Sequence, residues 1–209
     1  MKRATLGAVA IAGVACGPSG EAPPPKTAPP PAMVAVEGAR WLPADEGMVY
    51  AYKTSDLVSG TTGVLMLRTR RISPTSFDLV GPRHTEHLEY RDNGIVRMTE
   101  GTYLLRTPVT EGTTWPGGPN ASVRIGKVGM SMKLAAGEFD RCAEVVEQRT
   151  GAVRATITTT FCPDVGIVRM ETQGASSDGA KTAHEVIELT SFGKAVDIGA
   201  PGVTKTQVK

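Results

Sequence analysis

Residues 141–170, with the sequence RCAEVVEQRTGAVRATITTTFCPDVGIVRM, decide the fold. From Val153 to Phe161, Val, Ala, Ile and Phe alternate with Arg and Thr, so one face of an extended strand is largely apolar and the other polar. A two-residue period of this kind is typical of an antiparallel sheet with one buried face. The preceding run, 141–150, has similar chemistry and is separated from it by Thr150-Gly151. The stretch therefore predicts a pair of antiparallel strands.

The same pattern continues over residues 41–192, where short runs rich in Val, Thr, Tyr and Ile alternate with Gly, Pro, Asn and Asp. Asp92-Asn93-Gly94 predicts a tight hairpin, because Asn and Gly accept the positive φ of a type I′ turn. No segment has a helical apolar period of helical length, so the sequence predicts an all-β fold in a single domain. The predicted strands are 48–54, 63–72, 76–80, 85–91, 94–99, 102–107, 121–126, 130–134, 141–150, 152–161, 165–172 and 182–192.

A short motif, P-x-x-E-G-x-x-aromatic, occurs twice, from Pro43 to Tyr50 and from Pro108 to Trp115. In both copies a Pro-to-Gly turn would deliver an aromatic side chain onto the following strand. Two interpretations stay open. The copies mark the starts of two similar blocks of strands, or they share only their turn chemistry.

The first sixteen residues, MKRATLGAVAIAGVAC, begin with Lys2 and Arg3 and continue with apolar or small residues up to Cys16. This layout indicates an export signal, and it is shorter than the ~20 apolar residues of a membrane span. The segment from Gly13 to Cys16 resembles the lipobox of bacterial lipoproteins. The resemblance implies cleavage before Cys16 and acylation of that residue by fatty acids such as palmitate. The alternative is an ordinary secretory signal cut after Ala12, which would leave Cys16 as a free thiol.

Composition divides the chain into four parts. Residues 1–15 are the predicted lipoprotein signal peptide, and 16–40 comprise the lipidated cysteine and a tether. The run GPSGEAPPPKTAPPPAM over 17–33 contains seven prolines and cannot form a core, so the tether should be extended. Residues 41–193 form the antiparallel β-domain, and 194–209 form a loose tail.

Two cysteines, Cys142 and Cys162, remain for pairing in an exported protein, where disulfides persist. They are predicted to form a bridge contributing about 3 kcal/mol in the chain-entropy model; the alternative is two reduced core thiols. A strict two-residue turn at Thr150-Gly151 would set Cys142 opposite Thr159. The bridge therefore requires a longer loop or a bulge that shifts the pairing by three residues, or strands that have splayed apart.

Three motifs in the predicted domain resemble those of a loosely defined group of bacterial lipoproteins and secreted β-domains of unknown function. The group combines a Pro-x-x-x-Gly-x-x-x-aromatic start, a central A-G-x-F-x-x-C and a later aromatic-x-P-x-V-G-x-V. The matching residues are Pro43, Gly47, Tyr50, Ala136, Gly137, Phe139, Cys142, Phe161, Pro163, Val165, Gly166 and Val168. The resemblance implies a strongly curved antiparallel sheet or a partly open barrel, and it carries no catalytic residues.

Candidate sites are few. His84 and His87 would point to opposite faces of a strand, so with a distant His184 they make a poor metal site. We predict no metal or other cofactor and expect these histidines to be solvated. Arg68, Arg70 and Arg71 are interpreted as a basic strand edge, the favoured alternative being a solvated or edge-protecting set of charges. Four methionines, with neighbouring apolar residues, are candidates for a plastic apolar pocket, the alternative being ordinary core: Met66, Met98, Met130 and Met132.

The net charge of the chain limits the classes of partner that it could bind. When Lys2 and Arg3 leave with the signal, the 23 basic residues fall to 21, equal to the 21 acidic ones, which argues against a nucleic-acid surface. The sequence predicts a non-enzymatic binding or structural module, lipid-anchored in the cell envelope, with an outer-membrane site facing the periplasm favoured and an envelope protein as partner. The alternatives are a carrier or sensor of an apolar ligand, and a metal-dependent enzyme acting near His84 and His87.

Overall fold

A computed structural model describes residues 36–151, 153–176 and 179–195. The predicted signal peptide, Cys16 and most of the predicted tether and tail lie outside these residues. One short helix, α1 (Glu37–Trp41), precedes twelve strands. The strands are β1 (Met48–Asp56), β2 (Thr62–Arg71), β3 (Ser76–Val80), β4 (Thr85–Arg91), β5 (Gly94–Arg97), β6 (Thr102–Arg106), β7 (Thr114–Gly118), β8 (Ala121–Leu134), β9 (Gly137–Arg149), β10 (Val153–Cys162), β11 (Gly166–Ser176) and β12 (Lys181–Lys194).

All twelve strands form one antiparallel sheet in the order β6-β5-β4-β3-β2-β1-β12-β11-β10-β9-β8-β7. The sheet curls until its two edge strands, β6 and β7, approach each other, which makes a nearly closed barrel. A side chain bridges the seam, because the indole Nε1 of Trp115 on β7 donates to the carbonyl oxygen of Tyr103 on β6 at 2.8 Å. The prediction of an all-β, strongly curved or partly open barrel is confirmed.

The strand order consists of two consecutive six-stranded meanders, β1–β6 and β7–β12, joined where β1 pairs with β12. Each meander begins with one copy of the sequence motif, and the two copies adopt the same turn. Gly47 and Gly112 both have positive φ, and their amides donate to the carbonyl oxygens of Thr69 and Ile125, each on the second strand of its meander. The structure therefore favours the interpretation that the motif marks the starts of two similar blocks.

The β9–β10 hairpin carries the disulfide that the sequence predicts. The pairing runs from Arg149 with Ala155 to Phe161 with Ala143, which places Cys142 and Cys162 directly opposite each other. Their Cα atoms are 4.1 Å apart and the bridge closes a separation of 20 residues. A two-residue turn would pair residue 149 with residue 152, so the observed connection is longer by the three residues that the bridge requires.

Large side chains fill the barrel near α1, which closes one end. Gly38 of the helix lies against Gly94 and Ile95, at the β4–β5 turn. The amide of Asp164, in the β10–β11 turn, donates to the carbonyl of Arg40 at 2.6 Å. The surrounding core contains these buried apolar residues: Trp41, Leu42, Phe77, Leu79, Leu88, Tyr90, Ile95, Leu105, Trp115, Val123, Ile125, Ala143, Val145 and Phe161. The sequence analysis missed this helix, because a single turn of five residues is too short to show an apolar period.

Two strand assignments are corrected. Strand β7 was missed because Pro116 and two following glycines are strand breakers, but Pro is tolerated at a sheet edge, where its missing N–H faces no partner. The predicted strands 121–126 and 130–134 are one strand, β8, interrupted by register shifts that absorb the intervening glycines. The last strand also extends to Lys194, one residue into the predicted tail.

The Asp92-Asn93-Gly94 hairpin is confirmed, but its predicted turn type is wrong. Arg91 pairs with Gly94, so the loop is Asp92-Asn93, and of these loop and flanking residues only Gly94 has positive φ, at 144°. Glycine is required there by a close approach. A Cβ on Gly94 would lie 2.1 Å from the carbonyl oxygen of Leu105 on β6.

In the described part of the chain, no helix has the length and apolar character needed to cross a membrane.

Candidate functional site

A groove of about 460 Å³ crosses four neighbouring strands, β9 to β12. It lies where the β9–β10 and β11–β12 connections emerge, at the opposite ends of these strands from α1. Its described lining residues are Gln148, Arg149, Thr150, Arg154, Ala155, Thr156, Gln173, Gly174, Ala175, Gly179, Lys181, Ala183 and His184. The volume is within the range of small-ligand sites, about 300–1,000 Å³. This groove is the candidate functional site.

Strand register places four hydrogen-bonding side chains in one row across the groove. Gln148 pairs with Thr156, Thr156 with Gln173, and Gln173 with His184. Directly paired residues project from the same face of a sheet, so the amides, the hydroxyl and the imidazole lie side by side. The sequence analysis missed this row, because its members come from four strands whose register no local pattern reveals.

A second row contains the charge of the groove. Arg154 pairs with Ala175, and Ala175 with Lys181, so two cations flank one small side chain. The separation of adjacent strands, about 4.8 Å, sets the backbones of Arg154 and Lys181 about 10 Å apart. Arg149 also borders the groove, but it pairs with Ala155 and its side chain projects from the other face of the sheet; none of the described lining residues is acidic. The groove is therefore basic.

A carboxylate lies one row further along the same face and holds two of the groove side chains in place. Glu171 accepts hydrogen bonds from Gln173 Nε2 at 2.6 Å and Arg169 Nη2 at 2.8 Å, and its Oε1 is 2.9 Å from His184 Nε2. The bond from Gln173 is the main cause that lowers the pKa of Glu171 to about 2; burial opposes it, and His184 and Arg169 reinforce it. Glu171 is thus ionised near neutral pH and orients Gln173 and His184.

Arg149 is tied to a buried carboxylate. Its Nε donates to Glu147 Oε1 at 2.6 Å, while Arg97 on β5 donates to Glu147 Oε2 at 3.3 Å. Glu147 is only 5 % exposed. Arg149 also lines a second groove of about 230 Å³, beside Glu100 and Pro119. Since β5 and β9 are not neighbours in the sheet, this network joins the two meanders across the seam.

The predicted histidines lie in different places. As expected from strand alternation, His84 faces Glu86, with Nε2 to Oε2 at 3.3 Å, whereas His87 Nδ1 lies 2.6 Å from Asp78 Oδ1. His184 is 22 % exposed and bonded to Glu171, so the expectation that it is solvated is wrong. The alternation of β12 places it against β11 instead. Among the described residues, no group of three His, Cys, Asp or Glu side chains is arranged to hold a metal ion.

The interpretation of Arg68, Arg70 and Arg71 as a strand edge is wrong, because β2 lies inside the sheet between β1 and β3. Arg70 instead donates from its Nε to Asp78 at 3.0 Å. Burial alone would raise the pKa of Asp78, but the hydrogen bonds from Arg70 and His87 outweigh burial and hold that pKa below its usual value. Arg71 donates to the carbonyl oxygen of Ala44, just before β1.

The four methionines do not line one pocket. Met66 on β2 and Met98 after β5 are about half exposed, at 51 % and 46 %. Met130 and Met132 on β8 pack on a second buried cluster around Tyr50, Tyr52, Phe139, Leu189 and the disulfide. The predicted apolar pocket fails for Met66 because strand alternation turns its side chain outward. It fails for Met98 because this residue lies in the turn that follows β5.

Comparisons with known proteins give two distant likenesses. No protein-family model matches the chain, and no curated protein does. A putative exported protein with YmcC-like fold from Bacteroides fragilis aligns at 13% identity and TM-score 0.47, over 74% of this chain and 99% of that one. A putative lipoprotein from Parabacteroides distasonis aligns at 13% identity and TM-score 0.43, over 73% and 98%. At these values no residue role is carried over to the groove.

Proposed function

We propose that this protein is a non-enzymatic binding module of the bacterial cell envelope, anchored through lipid on Cys16, and that the groove is its ligand site. The observation that carries the proposal is the position of the groove relative to α1. The described chain begins at α1, against the β10–β11 turn, whereas the groove lies at the other ends of β10 and β11. The groove includes Ala155 and β10 ends at Cys162 beside the turn that contacts α1, so at about 3.3 Å per residue the two lie roughly 23 Å apart.

This arrangement suits a tethered receptor. The chain enters the described domain at α1, so attachment on the N-terminal side does not require the groove to be covered, and it stays accessible to a ligand. The larger side chains that line the groove are amides, hydroxyls, cations and an imidazole, beside alanines and glycines, and no large apolar side chain is among its described lining residues, which favours a polar ligand over the apolar ligand of the carrier alternative. We further propose the outer membrane, facing the periplasm, as the site of anchoring, since Gly17 is not the Asp that retains lipoproteins of this class at the inner membrane.

Metabolic labelling with an alkyne analogue of palmitate tests the anchor. The wild-type protein should incorporate the label and sediment with outer-membrane fractions, whereas Cys16→Ser should lose both properties. Cys142→Ser and Cys162→Ser together are the matched control, because neither cysteine is a predicted acylation site and labelling should persist. A wild-type protein that is unlabelled and found in the soluble fraction would refute the anchoring proposal.

A further inference from the structure

The groove has a charge pattern that specifies its ligand more closely, and this inference rests on the proposal that the groove is a ligand site. We propose that it binds a small ligand bearing carboxylate or phosphate groups, and that Arg154 and Lys181 contact those groups. Neither cation forms an ion pair with any residue of the described chain. Arg149, the other cation among the described lining residues, is instead paired with Glu147.

Among the described residues, only a small side chain lies between the two cations. Ala175 separates them in the row, and the neighbouring Ala155, Gly174 and Ala183 pair with one another and project from the other face of the sheet. A ligand oxyanion can therefore approach the sheet and reach both side chains, which are long and flexible. Charge-assisted hydrogen bonds of this kind are about twice as strong as neutral ones.

The adjacent row supplies the rest of the recognition. The amide of Gln148 and the hydroxyl of Thr156 lie between the cations and the Glu171 network. The side-chain nitrogen of Gln173 donates a hydrogen bond to Glu171, and the side-chain carbonyl oxygen of Gln173 remains as an acceptor for a ligand hydroxyl. No aromatic side chain is among the described lining residues, so binding depends on charge and hydrogen bonds and not on stacking. A polar ligand with both anionic and hydroxyl groups, such as an acidic sugar or a sugar phosphate, fits this chemistry.

The test is calorimetric titration of the mature protein in non-ionic detergent with three probes. Digalacturonate carries carboxylates, glucose 1,6-bisphosphate carries phosphates, and cellobiose is uncharged. We expect one or both anionic probes to bind, with affinity that falls as salt is added, and cellobiose to bind at least tenfold more weakly. The stronger of the two anionic probes identifies which oxyanion the groove accepts.

Variants locate the binding. The double substitution Arg154→Gln and Lys181→Gln should weaken binding of the anionic probe roughly a hundredfold, about tenfold for each contact removed. Arg124→Gln with Lys127→Gln removes two exposed cations of β8 outside the groove and should leave the affinity unchanged. Circular dichroism spectra that match the wild type confirm that both double variants are folded.

Three results would overturn the inference: no binding of either anionic probe, equal affinity for cellobiose, or equal losses in both double variants. Stronger binding of cellobiose would leave the groove as a ligand site and remove only the anionic specificity. Failure of palmitate labelling, by contrast, would remove the anchor from the proposed function without changing the titrations. The two proposals can therefore fail separately.

Discussion

Replacement of Gly94 by alanine should strongly destabilise the barrel. The new Cβ would lie 2.1 Å from the carbonyl oxygen of Leu105 and 3.0 Å from the Cα of Arg106. Ordinary contact begins near 3.4 Å, so β5 and β6 would have to separate by about 1.3 Å at this point. That movement would disturb the pairing of Ile95 with Leu105, both of which have no exposed surface.

The expected cost combines three contributions. Two weakened backbone hydrogen bonds account for about 1 kcal/mol each. An alanine at φ 144° adds strain on the order of 1–3 kcal/mol. Loosened packing of the two buried side chains adds to this, so the free energy of unfolding should fall by about 4 kcal/mol. Because small domains have only about 5–15 kcal/mol of stability, the change should be large in a urea titration.

Gly101→Ala is the matched control, since Gly101 lies in the turn at the other end of β5. It also has positive φ, at 66°, but a Cβ there would meet no atom within 4 Å. Only the backbone preference is lost, so we expect about 1 kcal/mol. Equal midpoints for the two variants would show that the close approach of β5 and β6 is not what requires glycine at residue 94.

Three further predictions use the same unfolding measurement. Cys142→Ala with Cys162→Ala should lower the free energy of unfolding by about 3 kcal/mol, because the bridge closes a loop of 20 residues. Reductant should destabilise the wild type but not this double variant, and an equal response of the two proteins to reductant would contradict the bridge. Because folding lowers the pKa of Glu171 from 4.5 to about 2, its stabilisation is complete above about pH 5 and is lost as the pH falls towards 2. The full shift equals about 3 kcal/mol, of which we expect about 1–2 after solvent screening, and Glu171→Gln should remove this part of the acid sensitivity. Glu147→Gln should cost about 2 kcal/mol, because it leaves two arginines without their buried partner, whereas Glu138→Gln in an exposed pair should cost less than about 0.5 kcal/mol; equal costs would contradict a role for burial.

Much of the candidate site was invisible in the sequence for a geometric reason. Gln148, Thr156, Gln173 and His184 are spread over 37 residues and no two belong to one strand. Antiparallel pairing makes them neighbours, and that pairing depends on a loop three residues longer than a tight turn and on a bulge in β10–β11. The expectation that His184 is solvated failed for the same reason, since strand pairing places it beside Glu171 on β11.

The Cys142–Cys162 disulfide is only partly predictable from the sequence. The sequence reveals two cysteines in an exported chain, and counting from the turn gives the shift of three residues that a bridge needs. Whether the chain makes that shift depends on the whole β9–β10 ladder, which aligns Ala143 with Phe161 in the buried core. Packing of that core therefore decides a pairing that cysteine chemistry only permits.

The sequence by itself determined most of the β-strands, the positions of the main hairpins and the motif that begins each block, because two-residue alternation and Gly or Asn turns are local properties. Only the tertiary structure decided that twelve strands make one barrel, that α1 closes one end and that Arg154 and Lys181 face a shared groove. These features depend on contacts between residues far apart in the chain. Their free energy comes from burial and register over the whole sheet, which no short stretch contains.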